Sequence, residues 1–288
     1  MSDEVVHKPY GKLNYGSYLQ VPKLLELQEL QSENAAHDEM LFIVIHQAYE
    51  LWFKQILFEF DAVAEAMQID DAFEAIRLMR RVHAIENLLV HQIHILETMM
   101  PRDFLSFRAA LNPASGFQSV QFREVEFATG IKDGPILKSV QCSEAEMARL
   151  EKRLEQPSIR QRFFKMLQRK GFDVEVPLED GTTLEGEPLE RTMQELLRLY
   201  KHPENFYSLY TLSEALVQHD QNLLLWRFHH VRVVERLIGA KMGTGGSPGV
   251  RYLESTLTKR AYPLLWSARG LMSDEEFYGT ERGPTRSA

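Results

Sequence analysis

The sequence predicts an all-α fold, a helical bundle with long core helices. Three observations predict it. Three long stretches carry apolar side chains at helical spacing. Recognisable start and stop residues bound those stretches. Strand signals are few, and no composition break, internal repeat or low-complexity tract marks a linker, so residues 1–288 read as one domain.

In chain order, residues 1–36 read as an arm followed by a short helix, unusually aromatic for a solvated tail because of Tyr15 and Tyr18, with Leu19 beside them. A long helix is expected from Asp38 to Met67, with Asp38 and Glu39 in the first turn complementing the helix dipole. A second is expected from Asp71 to Met100, stopped by Pro101. Its period runs through Phe73, Ile76, Met79, Val82, Ile85, Leu89, Ile93 and Leu96. Residues 101–121 mix a short helix with turns at Asn112-Pro113 and Ser115-Gly116. Ser143 and Glu146 have capping-box spacing and open a polar helix that ends near Pro157. The basic residues Arg160, Arg162, Lys165, Arg169 and Lys170 read as a solvated helix face, and residues 171–188 as a surface excursion. The third long helix is expected from Pro203 to Gly239, a residue suited to a helix C-terminus. A glycine-rich segment to Gly249, a short helix before Pro263 and a polar tail after Ser273 complete the chain.

Composition narrows the function. The net charge of −8 opposes nucleic-acid binding. A single cysteine, Cys142, allows no disulfide within the chain and fits a reducing, cytoplasmic compartment. The first residues lack the apolar core of a secretory signal, and the most apolar stretch, Met40 to Phe60, carries too many charges to cross a membrane.

The ten histidines carry most of the chemical information. Helical phase puts His230 on a stripe with Leu223, Trp226, Val233, Val234 and Leu237. It reads either as an axial ligand to haem iron or as a core histidine satisfied by a hydrogen bond, the commoner situation. Phe42, His46, Tyr49 and Phe53 share one stripe of the first long helix, which suits a flat aromatic guest with a polar N–H but is more often plain core. His91 and His94 are spaced i,i+3 with His83 two turns earlier, a pattern open to a non-haem metal or to exposed histidines. Arg108, after Phe104 and Phe107, is either a carboxylate clamp or half of a surface ion pair. The glycine-rich segment fits neither nucleotide fingerprint: no Gly-Lys precedes Ser or Thr, and Pro248 stands where a glycine is needed.

Taken together, Tyr15-Gly16-Ser17-Tyr18-Leu19, His37 to Phe42 with His46-Gln47 and Glu50-Leu51-Trp52, Ser115 to Ser119, Leu225-Trp226-Arg227-Phe228 with His230, and Gly243 to Ser247 resemble the tryptophan 2,3-dioxygenases. The matching segments run from the N-terminal arm to Gly249, while residues 131–200 add little. The resemblance implies a haem pocket enclosed by the long helices, with haem b held by His230 as its iron ligand and Ser115 and Gly116 lining the distal side. It implies L-tryptophan and dioxygen as substrates and N-formyl-L-kynurenine as product, the first step of tryptophan breakdown by the kynurenine pathway. His46 would be the catalytic residue of the distal side and accept the indole N–H. Phe42 would pack on the indole, Arg108 would bind the carboxylate, and Thr244 would help hold the amino acid's polar end. Tyr15, Tyr18 and Leu19 would come from a neighbouring subunit of a homotetramer. Phe104 departs from members that carry tyrosine there and supply a second hydrogen bond to the carboxylate. A related indoleamine-type dioxygenase of broader specificity is the nearest alternative.

Overall fold

The computed structural model describes residues 13–33, 36–138, 140–179, 184–239, 241, 243 and 249–272. Among them there is no strand. The helices in chain order are α1 (Tyr15–Leu19), α2 (Val21–Leu24), α3 (His37–Gln68), α4 (Ala72–Leu96), α5 (Pro101–Arg108), α6 (Val120–Thr129), α7 (Glu144–Glu155), α8 (Ile159–Arg169), α9 (Gly186–Lys201), α10 (Tyr207–Ile238), α11 (Val250–Ser255) and α12 (Pro263–Arg269).

The three long helices stand where the period placed them. On α3 the buried residues Ile45, Tyr49, Phe53, Ile56, Phe60, Val63 and Met67 follow steps of three and four, a single stripe facing inward. Helix α4 lies against both α3 and α10. Asp71 caps α4, its carboxylate accepting from the Glu74 N–H. The helix stops at Leu96, four residues before the expected end. Pro101 pushes Met100 into extended backbone, and residues 97–99 close the end with tight i,i+3 hydrogen bonds. Phe73, assigned to the inner stripe by period, is 77% exposed, because the buried face of the first turn is carried by Ala72 and Ala75 instead.

Other boundaries also move. Ser143 and Glu146 form the expected reciprocal cap of α7. The basic stretch becomes α8, whose opposite face buries Phe163, Phe164, Met166 and Leu167. Its cations are engaged rather than merely solvated: Arg162 donates to Gln68, Arg169 to Asp70 and the Met67 carbonyl, and Arg160 to the Ala261 carbonyl. The stretch expected as a surface excursion buries Phe172 and Val174 and then turns into α9 at Gly186. Asp220 of α10 accepts from the N–H groups of Ala261 and Tyr262 and from the Trp266 indole, which fastens α12 to the bundle. A large buried cluster joins residues from Ile45 to Ala268. No helix among the described residues is long and apolar enough to cross a membrane.

Candidate functional site

Helices α3 and α10 both flank α4, and a cavity of about 560 Å³ is lined by residues of all three. Ile93 and Leu96 of α4 contribute to its wall, together with Phe104 and Arg108 of α5, Arg123 and Glu126 of α6, and Tyr252 and Leu253 of α11. The segment from Ala114 to Ser119 passes along its rim. A volume of this size is that of a small-molecule or cofactor site.

Helix α3 presents Phe42, His46, Tyr49 and Phe53 to the cavity, and α10 presents Trp226, His230, Val233 and Leu237. The two stripes read from helical phase are therefore opposing walls of one chamber. The Phe42 and His46 rings lie 4.1 Å apart, with Phe104 and Phe107 each 5.7 Å from Phe42. These rings make an apolar, aromatic lining.

His46 Nδ1 lies 2.7 Å from the Phe42 carbonyl. A carbonyl oxygen only accepts, so Nδ1 carries the hydrogen and, in the neutral ring, Nε2 is left as an acceptor. Burial lowers the pKa of His46, against the opposing pull of the Phe42 carbonyl and the Glu50 charge. The ring is therefore neutral at pH 7.

His230 forms no hydrogen bond with any described residue. Among the described residues no group satisfies the ring, unlike the core histidine expected on general grounds. Its pKa is pushed down to about 4, by burial first and then by the charge of His46. The surface it keeps faces the cavity it lines, and its ring stacks on Trp226 at 5.1 Å. It is a neutral imidazole with a free lone pair, the state a metal ligand needs.

Beside it lies a buried ionic network. Glu126 accepts from Arg227 at 2.6 Å and from Arg123 at 2.6 Å, and Arg227 also donates to the carbonyls of Thr256 and Lys259. Among the described residues, Arg123 Nε remains a donor at the cavity without an acceptor. Buried N–H groups left unmade are costly, so their presence in a cavity wall marks a place for an acceptor-bearing guest. Glu50, one turn beyond His46, accepts from the Ser119 hydroxyl at 2.6 Å and from Gln121 at 2.8 Å, which pins the rim segment.

Of the residues singled out from sequence, Phe42, His46, Phe104, Arg108, Ser115, Gly116 and His230 converge on this cavity. Gly243 also lines it, while Thr244 lies outside the described residues. Tyr15, Tyr18 and Leu19 sit on α1, exposed and away from the cavity of their own chain. His83, His91 and His94 do not gather into a metal set: His83 bonds to the Ala215 carbonyl and His91 to the Asn87 carbonyl. Sequence reasoning missed Arg123 and Glu126, whose i,i+3 spacing was a usable signal, and Arg227, whose partner is far away in the chain. A more open groove shares Glu50 and Ser119 with the rim, and most of its charges are paired, Arg153 with Asp61 and Arg149 with Glu124. It lacks the enclosed, unpartnered groups of the cavity.

A family profile described as tryptophan 2,3-dioxygenase matches residues 2–172 and 187–272. A tryptophan 2,3-dioxygenase of Nocardioides sp. is 47% identical over 276 residues, 93% of this chain and 99% of the relative. Those of Herpetosiphon aurantiacus and Anaeromyxobacter dehalogenans are 41% and 39% identical, over 89% and 94% of this chain and 97% and 100% of theirs. Matched over nearly its whole length, with the aromatic and histidine-bearing stripes facing each other across one chamber, the chain belongs to the tryptophan 2,3-dioxygenase family.

Proposed function

We propose that this protein is a haem-dependent dioxygenase that inserts both atoms of dioxygen across the indole 2,3-bond of L-tryptophan and releases N-formyl-L-kynurenine. One carbon–carbon double bond is exchanged for two carbonyls, so substrate and dioxygen balance without an external reductant. The observation that carries the reading is His230, a neutral imidazole without a hydrogen-bond partner among the described residues, opening onto an apolar cavity.

The residues fit a haem b. His230 would hold the iron, and Arg123 Nε, unpartnered among the described residues, is suited to an acceptor oxygen of its carboxylates. Ser115 and Gly116 would border the distal side. Bound haem supplies the activation of dioxygen; the chain supplies binding, orientation and a dry chamber.

The substrate's indole would lie against Phe42, its N–H donated to His46 Nε2, the one ring nitrogen left as acceptor. His46 fixes where the indole carbons sit. Arg108 offers a planar fork to the substrate carboxylate, and Thr244 would meet the ammonium end. Phe104 brings only ring area, so the carboxylate depends on Arg108.

Self-association accords with the apolar surface left on the long helices: Leu51 and Phe58 on α3, Leu88 on α4, and Leu225 and Phe228 on α10 are each at least 40% exposed. A homotetramer would cover such surface and bring Tyr15, Tyr18 and Leu19 of one subunit to the cavity of another. The core shared from Ile45 to Ala268 supports one domain over the described residues, and the single thiol of Cys142 accords with the cytoplasm.

The test is dioxygen uptake and product mass for haem-loaded protein given L-tryptophan, D-tryptophan or tryptamine. Selective turnover of L-tryptophan, with both oxygens of labelled dioxygen in the product, is the expected result. No uptake overturns the reading, and equal turnover of all three replaces it with a dioxygenase of broad specificity.

A further inference from the structure

On the outer side of the α4–α10 pair, His94 and Glu97 from the end of α4 meet His229 of α10. Each can offer one ligand atom, and the three atoms lie within 4.8 Å of one another. The two imidazoles stand edge to face, 4.8 Å between centroids, and His94 Nδ1 is 3.3 Å from Glu97 Oε2. We propose that His94, Glu97 and His229 form a second metal site, outside the haem cavity, that takes a divalent transition ion of the zinc class.

The donor set chooses the ion. Two imidazole nitrogens and one carboxylate oxygen suit borderline zinc, whereas calcium and magnesium prefer oxygen donors throughout. Three protein ligands leave the fourth tetrahedral position to water, which the partial exposure of the group admits. Zinc bonds of about 2.0–2.1 Å place tetrahedral donors roughly 3.3 Å apart. The side chains of His94 and Glu97 are 45% and 32% exposed, so they can rotate inward without disturbing the core. Glu97 is the residue that closes α4, where the negative end of the helix dipole favours a cation. Among the described residues His229 forms no hydrogen bond or ion pair, so an ion there would take the place only of the His94–Glu97 contact.

The position gives the site a consequence. Ile93 and Leu96 in the same turn of α4 line the cavity, as does His230, next in sequence to His229. An ion at the site ties together two helices that form the cavity wall.

The experiment is equilibrium dialysis of the haem-loaded assembly against zinc chloride, with zinc and iron counted together by mass spectrometry. One zinc per chain is expected, with affinity falling at least tenfold in both His94→Ala and Glu97→Gln. His91→Ala, on the same helix but bonded to the Asn87 carbonyl, should bind as the parent does. Iron content and the Soret band serve as controls that the variants are folded and haem-loaded. Binding of less than one zinc per chain overturns the proposal, and so does zinc affinity equal to the parent's in His94→Ala and Glu97→Gln.

Discussion

Acid should destabilise the haem-free protein through His230 by an amount that one substitution can isolate. An unfolded imidazole titrates near pH 6.5, whereas the folded His230 ring is pushed down to about 4, by burial and by the charge of His46. Between those values the unfolded chain binds a proton that the folded chain does not, so acid favours unfolding. The effect is absent well above pH 6.5, grows as the pH falls through that value and levels off below about pH 4. The full linkage corresponds to about 3.4 kcal/mol, and the part falling between about pH 7.5 and pH 5 to about 2 kcal/mol. Water in the open cavity screens the ring, so these are upper bounds. His230→Leu removes the titrating group at comparable volume. In urea unfolding, the parent should lose about 1–2 kcal/mol more than His230→Leu over that pH interval. Equal losses in the two proteins would refute the claim that the folded ring stays neutral, and with it the availability of its lone pair.

Three further outcomes test the walls of the cavity. Arg108→Leu should raise KM for L-tryptophan by about tenfold to a hundredfold with a smaller change in kcat, because a charged hydrogen bond contributes about 1.5–3 kcal/mol; an unchanged KM removes the clamp. Phe104→Tyr should lower that KM by about threefold to tenfold, the effect of one neutral hydrogen bond, if the added hydroxyl reaches the carboxylate; a raised KM would mean that the hydroxyl finds no partner. Glu126→Leu should destabilise the fold by about 3–5 kcal/mol in chemical unfolding, since it leaves Arg123 and Arg227 buried without their shared carboxylate; a loss below about 1 kcal/mol would mean that water already serves the two guanidinium groups.

What the sequence made legible was whatever depends on local periodicity. The stripe of Phe42, His46, Tyr49 and Phe53 and the stripe around His230 are each carried by one unbroken helix, so phase alone gathered their members. Phase could not say that the two stripes face each other, which depends on how α3 and α10 pack on α4. It also misjudged Phe73, since the large apolar side chain drew the stripe away from Ala72 and Ala75, the small residues that the first turn of α4 buries. The network of Arg123, Glu126 and Arg227 joins α6 to α10 across 101 residues, a pairing that no local pattern encodes. Helix α9 was missed although Thr192, Met193, Leu196, Leu199 and Tyr200 repeat at helical spacing, because the acidic, glycine-bearing stretch before it reads as loop. Among the described residues, the unpartnered states of His230 and Arg123 Nε depend on tertiary packing, which no local pattern reports.

The most direct trial is the absorption spectrum of haemin-loaded protein, parent against His230→Gly, with imidazole then added to the variant. A Soret band of a histidine-ligated haem in the parent, its loss or shift in His230→Gly, and its return with imidazole are the results expected of an iron held by that side chain. A variant whose spectrum matches the parent's before any imidazole is added would mean that the iron is held elsewhere, and the assignment of the chamber would fall.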